Sequence, residues 1–260
     1  MPQPTASAGP DAFAPAAAPA FHVGLTPEAV IDAATELTRE SHLFVWSIRD
    51  LARRVGVSQS VVYHHVGGKD LLCRRVVERV LERAPLPNDA LDWEAWFREL
   101  LYDLGPLAHE FPGVAKWALM HGPTLPVMLP ILERGMAHLH RAGFGPLAPS
   151  AYAVLLNTAT LTVSIADDRL QHEGDGPRDH ASMMQEFETM PQASRAVREM
   201  GQEFMRPFAE GGAAAEQVRN EYYRFAVDTA IAGLAVRLAD HLAASPSAEL
   251  DATEPEGSRA

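Results

Sequence analysis

The fold is decided by the stretch SIRDLARRVGVSQSVVYHHVGGKDLL, which covers residues 47–72. Ser47 can cap a helix, and Asp50, three residues later, supplies the acidic half of a capping box. The apolar residues of this first helix follow a helical spacing, at Ile48, Leu51, Ala52 and Val55. Gly56 ends the helix because glycine accepts the positive φ of a sharp exit, and Ser58 offers a cap for a second short helix over 59–65. Two short helices joined by a tight turn form a helix-turn-helix.

Helical periodicity continues on both sides of this motif. Thr26 is a candidate cap with Pro27 in the first turn, and Lys69 opens another helix after two glycines. Further helical runs, mostly separated by proline or glycine, are predicted at residues 91–109, 112–121, 126–142, 150–172, 182–205 and 213–242. No convincing alternation of apolar and polar residues marks a strand. The sequence therefore predicts an all-α fold.

Composition separates the two ends of the chain from its middle. Residues 1–23 are mostly Ala and Pro with almost no charge, and residues 245–260 also lack a sustained apolar period. Such segments cannot offset their ordering entropy by burial, so both are predicted to be disordered tails. Between them, residues 24–84 are predicted to form a three-helix helix-turn-helix domain and residues 85–244 a larger helical domain.

The net charge of −12 argues against a nucleic-acid partner, because phosphates repel an acidic surface. The charge is unevenly distributed, however. Residues 24–84 hold nine Lys or Arg against eight Asp or Glu, and residues 46–75 hold six against two. Positive charge is therefore concentrated at the helix-turn-helix.

Several classes of protein are excluded by what the sequence lacks. Its apolar runs are shorter than the roughly 18 residues of a membrane helix, and no signal-peptide pattern is present, so we expect a cytoplasmic protein with no membrane partner. Cys73 is the single cysteine, which excludes an internal disulfide, a zinc cluster and a redox pair. No spacing supports a catalytic Ser-His-Asp or Cys-His set, so no enzyme, metal or cofactor is predicted. The loop 172–180 has metal-compatible side chains, but its Gly and Pro content predicts a solvent-exposed connector.

The second helix of the motif has side chains that suit the major groove of double-stranded DNA. Gln can pair with adenine, Ser can donate or accept, Val can contact a thymine methyl, and Arg can bind guanine with two hydrogen bonds. The candidate base contacts are Arg49, Gln59, Ser60 and Val61. Hydroxyls, imidazoles and a cation suited to phosphate oxygens surround them, at Ser47, Tyr63, His64, His65 and Lys69. The alternative is that this helix pair serves packing alone.

Three short strings stand out in this region: SIRDLA at 47–52, VGVS at 55–58 and VYHHV at 62–66, followed by Lys69 and Leu71-Leu72. Together they resemble the DNA-binding domain of the TetR family of bacterial repressors over residues 25–83. The Tyr-x-His-Val form at 63–66 is nearest to the tetracycline-repressor subgroup. A weaker resemblance to the C-terminal domain of that subgroup is carried by AHEFP at 108–112, AGFG at 142–145 and FAVD at 225–228, with Gly233-Leu234.

The resemblance implies a homodimer whose two recognition helices enter successive major grooves of a palindromic operator. It assigns base contacts and phosphate contacts to the same residues as the chemistry above. Val61 and His64 depart from the residues common at those points, so the operator cannot be copied from a relative. The resemblance also implies that the helices at 150–172 and 213–242 form a four-helix bundle with their partner copies. Candidate interface residues, each with a place in the chain's own core as the alternative, are Leu155, Leu156, Phe225, Ile231 and Leu238.

A TetR-like protein pairs this DNA-binding domain with a helical domain that binds a small-molecule effector. A pocket for it should be mainly apolar and aromatic with a few polar groups. The candidate ligand-binding residues, each with plain core or surface packing as the alternative, are Trp96, Trp117, Met120, His121, Met128, Asn157 and Thr160. Relatives that bind tetracycline with magnesium use a histidine late in the helix that Lys69 opens, whereas this chain has Ala84-Pro85-Leu86 there. A different bulky, mostly apolar molecule is predicted.

The resulting hypothesis is an all-α, dimeric transcriptional regulator. An N-terminal three-helix helix-turn-helix DNA-binding domain precedes a larger helical ligand-binding and dimerisation domain, and a small apolar or aromatic effector releases the repressor from its operator. An activator with the same DNA contacts is one alternative. A helical ligand-binding or enzymatic protein with a purely structural N-terminal domain is the other.

Overall fold

The computed structural model describes residues 25–122, 124–190 and 194–244. Within these ranges the chain is helical and contains no β-strand, which confirms the all-α prediction. The two predicted disordered tails, 1–23 and 245–260, lie outside the described residues. In the described part of the chain, no helix is both long enough and apolar enough to span a membrane.

The helices follow one another along the chain with short connections. In the described ranges they are α1 (Pro27–Glu40), α2 (Ile48–Val55), α3 (Gln59–Val66), α4 (Lys69–Leu81), α5 (Trp93–Glu110), α6 (Val114–His121), α7 (Leu129–Ala142), α8 (Ala148–Leu170), α9 (His180–Thr189), α10 (Arg195–Glu199), α11 (Arg206–Glu210) and α12 (Gly212–Ala244). Single turns of 3₁₀-helix span Pro126–Met128 and Gly145–Leu147, and a π-helical turn spans Met200–Met205.

Local capping explains where the first helices begin and end. The Thr26 hydroxyl accepts a hydrogen bond from the Ala29 N–H at 3.1 Å, as predicted for the start of α1. Gly56 ends α2 with φ of 72°, in the left-handed region that favours glycine. Ser58 occupies the predicted N-cap position of α3, but its hydroxyl lies 2.9 Å from the Ser60 hydroxyl and makes no cap hydrogen bond.

The single helix predicted over 182–205 is also wrong. The structure instead has α9, α10 and a π-helical turn, with α11 following. Met190, at the end of α9, is extended with ψ of 157°, as expected for a residue that precedes a proline in the sequence. Ser194 then caps α10 through a hydrogen bond from the Val197 N–H.

Two hydrophobic cores organise the helices. We call α1–α4 the head, and its core contains buried residues from all four helices, including Leu51, Val62 and Val76. The same core continues into α6 and its flanking loops, through Phe111, Val114, Trp117 and Leu125. The second core joins α5, α7, α8 and α12 around Trp96, Phe97 and Ile231. The boundary between residues 84 and 85 stays a prediction.

Candidate nucleic-acid interface and ligand cavity

Helix α3 is seated on the head by one face and open to solvent on the other. Val62 and Val66 are buried in the head core. On the opposite side Gln59, Ser60, Tyr63 and His64 are exposed, whereas Val61 and His65 are half-buried. This is the amphipathic division that a helix needs if it is to lie in a groove while packed on its own domain. The structure thus brings the predicted reading residues of α3 onto one surface.

The start of α2 borders this surface and is rigidly capped. The Ser47 hydroxyl donates to the Asp50 carboxylate at 2.6 Å and accepts from the Asp50 N–H at 3.3 Å. The hydrogen bonds from Ser47 also lower the pKa of Asp50. Ser47 therefore already serves as a helix cap, and its phosphate contact stays a prediction. Arg49, the second residue of α2, is exposed and takes part in none of the described ion pairs.

Lys69 occupies a different environment from the other predicted phosphate contacts. Its ammonium donates to the Leu43 carbonyl at 2.9 Å and lies 2.6 Å from the centroid of the Trp46 ring. Burial lowers the pKa of Lys69 to about 8, but the carbonyl and the aromatic face both favour the charged form. Lys69 is a cation that ties the start of α4 to the connection between α1 and α2. Its contact with phosphate remains a prediction.

A cavity of about 370 Å³ lies in the larger domain, among α5, α8, α12 and the segment from α9 to α11. Its aromatic walls are Phe204, Phe208, Tyr222 and Tyr223. Gly105 on α5 permits the close approach of one wall, because a Cβ there would collide with the Tyr223 ring. The Tyr223 hydroxyl donates to the Leu101 carbonyl at 2.6 Å, which fixes that ring, and burial raises the pKa of Tyr223.

The cavity is linked to the head through a short chain of contacts. His109 lines the cavity, and its Nδ1 lies 3.0 Å from the buried Asp167 carboxylate. The second oxygen of Asp167 accepts from the Gly113 N–H at 3.1 Å. A Cβ on Gly113 would lie 2.6 Å from the His42 ring, so the loop after α5 packs closely against the connection between α1 and α2. The next residue, Leu43, donates its N–H to the Pro112 carbonyl at 2.9 Å.

His42 is the contact on the head side and is only 2% exposed. Its Nδ1 accepts from the Phe44 N–H at 3.2 Å, and its Nε2 is buried without a hydrogen-bond partner among the described residues. Burial lowers the pKa of His42, so the ring is neutral near pH 7. The ring is therefore a rigid, uncharged spacer between the head and the loop at 111–113.

None of the seven predicted ligand-binding residues lines this cavity. Trp96 is fully buried and stacks on His138 with ring centroids 4.8 Å apart. Trp117 belongs to the head core and stacks on His121 at 3.7 Å. The others are at the surface or partly buried: Met120, Met128, Asn157 and Thr160. The cavity lends these assignments no support, and they stay predictions.

Sequence reasoning missed the residues that do line the cavity. His180 was predicted to lie in an exposed connector, which is wrong: it is 5% exposed, contacts Glu173 through Nδ1 and stacks on Phe208 at 5.2 Å. In the sequence, Tyr222 and Tyr223 could have indicated the cavity, since pockets are lined mainly by apolar and aromatic side chains with a few polar groups. Among the described residues, no group of three or more His, Cys, Asp or Glu side chains could hold a metal ion.

Helices α8 and α12 pack on each other and leave apolar side chains in solvent. Three of the five interface candidates, Leu155, Ile231 and Leu238, are buried in the chain's own core. Leu156 is partly buried and Phe225 is 69% exposed. Other exposed apolar side chains on these two helices are Val154, Leu161, Ile165, Tyr222, Val236 and Leu242.

This architecture is similar to that of several solved structures. Neither a protein-family model nor a curated protein sequence matches the chain. Apo ActR from Streptomyces coelicolor has a similar structure, with a TM-score of 0.62 and 19% identity over 83% of this chain and 99% of ActR. ActR in complex with actinorhodin gives the same TM-score, identity and coverage.

A TetR variant from Acinetobacter baumannii AYE in complex with minocycline is similar with a TM-score of 0.58 and 21% identity, over 87% of this chain and 98% of that one. ActR itself is described as a TetR family protein. At these identities the likeness concerns the fold. The arrangement of a helix-turn-helix head on a larger helical domain is therefore the fold of TetR family regulators, as the sequence resemblance predicts.

Proposed function

We propose that the chain is a DNA-binding transcriptional repressor that acts in the cytoplasm as a homodimer and responds to a small-molecule effector. The observation that carries the proposal is the exposed face of α3, which presents Gln59 and Ser60 to solvent while Val62 holds the helix on the head core. Arg49, Gln59, Ser60 and Val61 contact bases. Phosphates are contacted by Ser47, Tyr63, His64, His65 and Lys69.

Dimerisation is supported by the exposed apolar side chains of α8 and α12. One head neutralises few phosphates, whereas two heads spaced by about one helical turn of DNA, roughly 34 Å, add their contacts. Phe225→Asp places a charge on this surface and should convert a dimer to a monomer in sedimentation velocity. Leu129→Asp, at a 47% exposed site on α7, is the matched control and should remain dimeric. A monomeric wild type would overturn this part of the proposal.

The response to an effector is supported by the position of the cavity. One segment, residues 105–113, connects the cavity with the head. Gly105 and His109 line the cavity, and Gly113 packs closely against His42. An effector that displaces His109 also shifts the Asp167 carboxylate, and with it the Gly113 backbone that this carboxylate holds. The movement then reaches the head through the contact between Gly113 and His42. Two proteins of this fold were solved with a bound small molecule, actinorhodin or minocycline. The effector then favours head positions that no longer match successive grooves.

The test is selection of duplexes from a random DNA library, followed by fluorescence anisotropy on the enriched sequence. Gln59→Ala should weaken binding to that sequence about 5- to 150-fold, the range for one lost bidentate base contact, and should change non-specific binding little. Gln185→Ala, at an exposed glutamine on α9, is the control. Absence of any enriched duplex, or equal effects of the two variants, would refute the proposal.

A further inference from the structure

The cavity in the larger domain has an unusual balance of charge. Of the described residues that line it, two are arginines, Arg169 and Arg219, and two are histidines, His109 and His180. None of them is Asp or Glu. The rest of the wall is mainly aromatic, aliphatic or small, with Thr162 and Asn220 as uncharged polar side chains. In a chain with a net charge of −12, a cavity lined by cations without acids is a local departure from the average.

The two histidines are accounted for by carboxylates outside the cavity wall. Asp167 lies against Nδ1 of His109, and Glu173 against Nδ1 of His180. These contacts fix the ring orientations and leave Nε2 of each ring as the nitrogen with capacity for another hydrogen bond. The histidines are therefore oriented polar groups rather than uncompensated charges.

The two arginines have no such compensation. Neither Arg169 on α8 nor Arg219 on α12 forms an ion pair with a carboxylate in the described part of the chain. The Nε of Arg219 is buried and has no hydrogen-bond partner there. A buried guanidinium N–H without an acceptor is costly, and arginine is the side chain best suited to bind carboxylates in two-pronged fashion. Arg219 thus lines the cavity and lacks an acceptor for this N–H within the described part of the chain.

The aromatic side chains supply the second element of recognition. Phe204 makes edge-to-face contacts with Phe208 at 5.6 Å and with Tyr222 at 5.7 Å between ring centroids. These contacts hold the rings as a fixed surface, which suits stacking against a flat ring system. A cavity of about 370 Å³ is within the usual range for small-molecule sites.

We propose that the effector is an aromatic molecule with an acidic group, and that Arg219 and Arg169 bind this anion while Phe204 and its neighbours contact the rings. The inference rests on the proposed function, in which this cavity is the effector site. It adds the chemical class of the effector: an aromatic carboxylate or an equivalent organic anion, and not a neutral or cationic compound.

Two fluorescent dyes that differ by one anionic group test the inference on the full chain. 8-Anilinonaphthalene-1-sulfonate carries a sulfonate, and N-phenyl-1-naphthylamine is its uncharged counterpart. Arg219→Gln should raise the dissociation constant of the anionic dye about tenfold or more, as expected when charged hydrogen bonds are lost, and that of the neutral dye less than about twofold. Arg195→Gln removes an exposed cation on α10 and should change neither.

Further variants guard against misfolding and against binding elsewhere. Arg169→Gln, at an exposed site, should also weaken the anionic dye selectively if Arg219→Gln does not fold. Ala166→Phe fills the cavity and should abolish binding of both dyes. The inference is overturned if the wild type binds neither dye, if both dyes are weakened equally by Arg219→Gln and Arg169→Gln, or if the anionic dye survives Ala166→Phe.

Failure here and failure of the proposed function give different results. A wild-type chain that enriches a duplex but shows no preference for the anionic dye contradicts only the effector class. A chain that binds the anionic dye through Arg219 but enriches no duplex contradicts the regulator and leaves a cavity for aromatic anions.

Discussion

Substitution of Gly113 by alanine probes the contact between the head and the larger domain. Gly113 has φ of 89°, so any L-residue there is strained by about 1–2 kcal/mol. An added Cβ would also lie 2.6 Å from Cε1 and 2.9 Å from Nε2 of His42, distances that real Cβ atoms do not tolerate. The ring cannot easily move, because it is buried and packs 5.6 Å from the Phe44 ring. Overpacking of this kind adds about 1–3 kcal/mol.

The expected loss in the free energy of unfolding is therefore about 2–5 kcal/mol for Gly113→Ala. Gly56→Ala is the matched control, since Gly56 has φ of 72° and ψ of 29°, in the same left-handed region as Gly113, but its Cβ would meet nothing within 4 Å. It should cost only the backbone strain of about 1–2 kcal/mol. Equilibrium urea unfolding, followed by the fluorescence of the four tryptophans, measures both losses.

A double-mutant cycle isolates the collision with the ring. In a His42→Ala background Gly113→Ala should cost no more than Gly56→Ala, because the space that the imidazole filled is then open. A cost of Gly113→Ala no larger than that of the control in the wild-type background would refute the collision with His42. An excess that persists once the ring is removed would refute it as well.

Three further outcomes follow from groups already described. Burial lowers the pKa of His42 below its usual value of 6.5, so at pH values below 6.5 the unfolded chain binds a proton that the folded ring does not. The free energy of unfolding in urea should therefore fall as the pH is lowered through 6.5. His42→Gln should make this decrease shallower. Asp167→Ala removes the acceptor of the Gly113 N–H and the partner of His109 Nδ1, and it should lower the free energy of unfolding in urea by about 2–5 kcal/mol. The control Asp168→Ala removes only the half-exposed ion pair with Lys116 and should lower it by less than about 1 kcal/mol. Lys69→Ala should weaken every duplex by a similar factor in anisotropy titrations and reduce the salt slope by about one; unchanged affinity for all duplexes would contradict the docking proposed for α4.

The helix-turn-helix could be predicted in detail because its signals are local. The capping box at Ser47 and Asp50 and the left-handed turn at Gly56 each depend on residues within one or two turns. The same holds for Ser58, whose residue type marks the N-cap position of α3 correctly, although its hydroxyl pairs with the hydroxyl of Ser60 and does not cap the helix.

The ligand cavity could not be predicted because its walls come from distant parts of the chain. Aromatic character alone does not distinguish Trp96, which fills the core of the larger domain, from Phe204, which faces a cavity. Phe204 and Met205 also lie in a π-helical turn, where i→i+5 hydrogen bonding interrupts the 3.6-residue pattern that marks a buried face. His180 was missed because its burial depends on Phe208, which lies 28 positions later in the sequence.

The continuation of the head core into α6 limits how this protein can be dissected. A fragment that stops after α4 would lack Phe111, Val114 and Trp117 from the head core, so the part of α4 that packs against α6 would face water. Exchange of DNA specificity between proteins of this fold should for that reason fail when only the first four helices are grafted. A chimera that takes α6 from the same parent as α1–α4 would keep the head core intact. The useful crossover point therefore lies beyond Leu125.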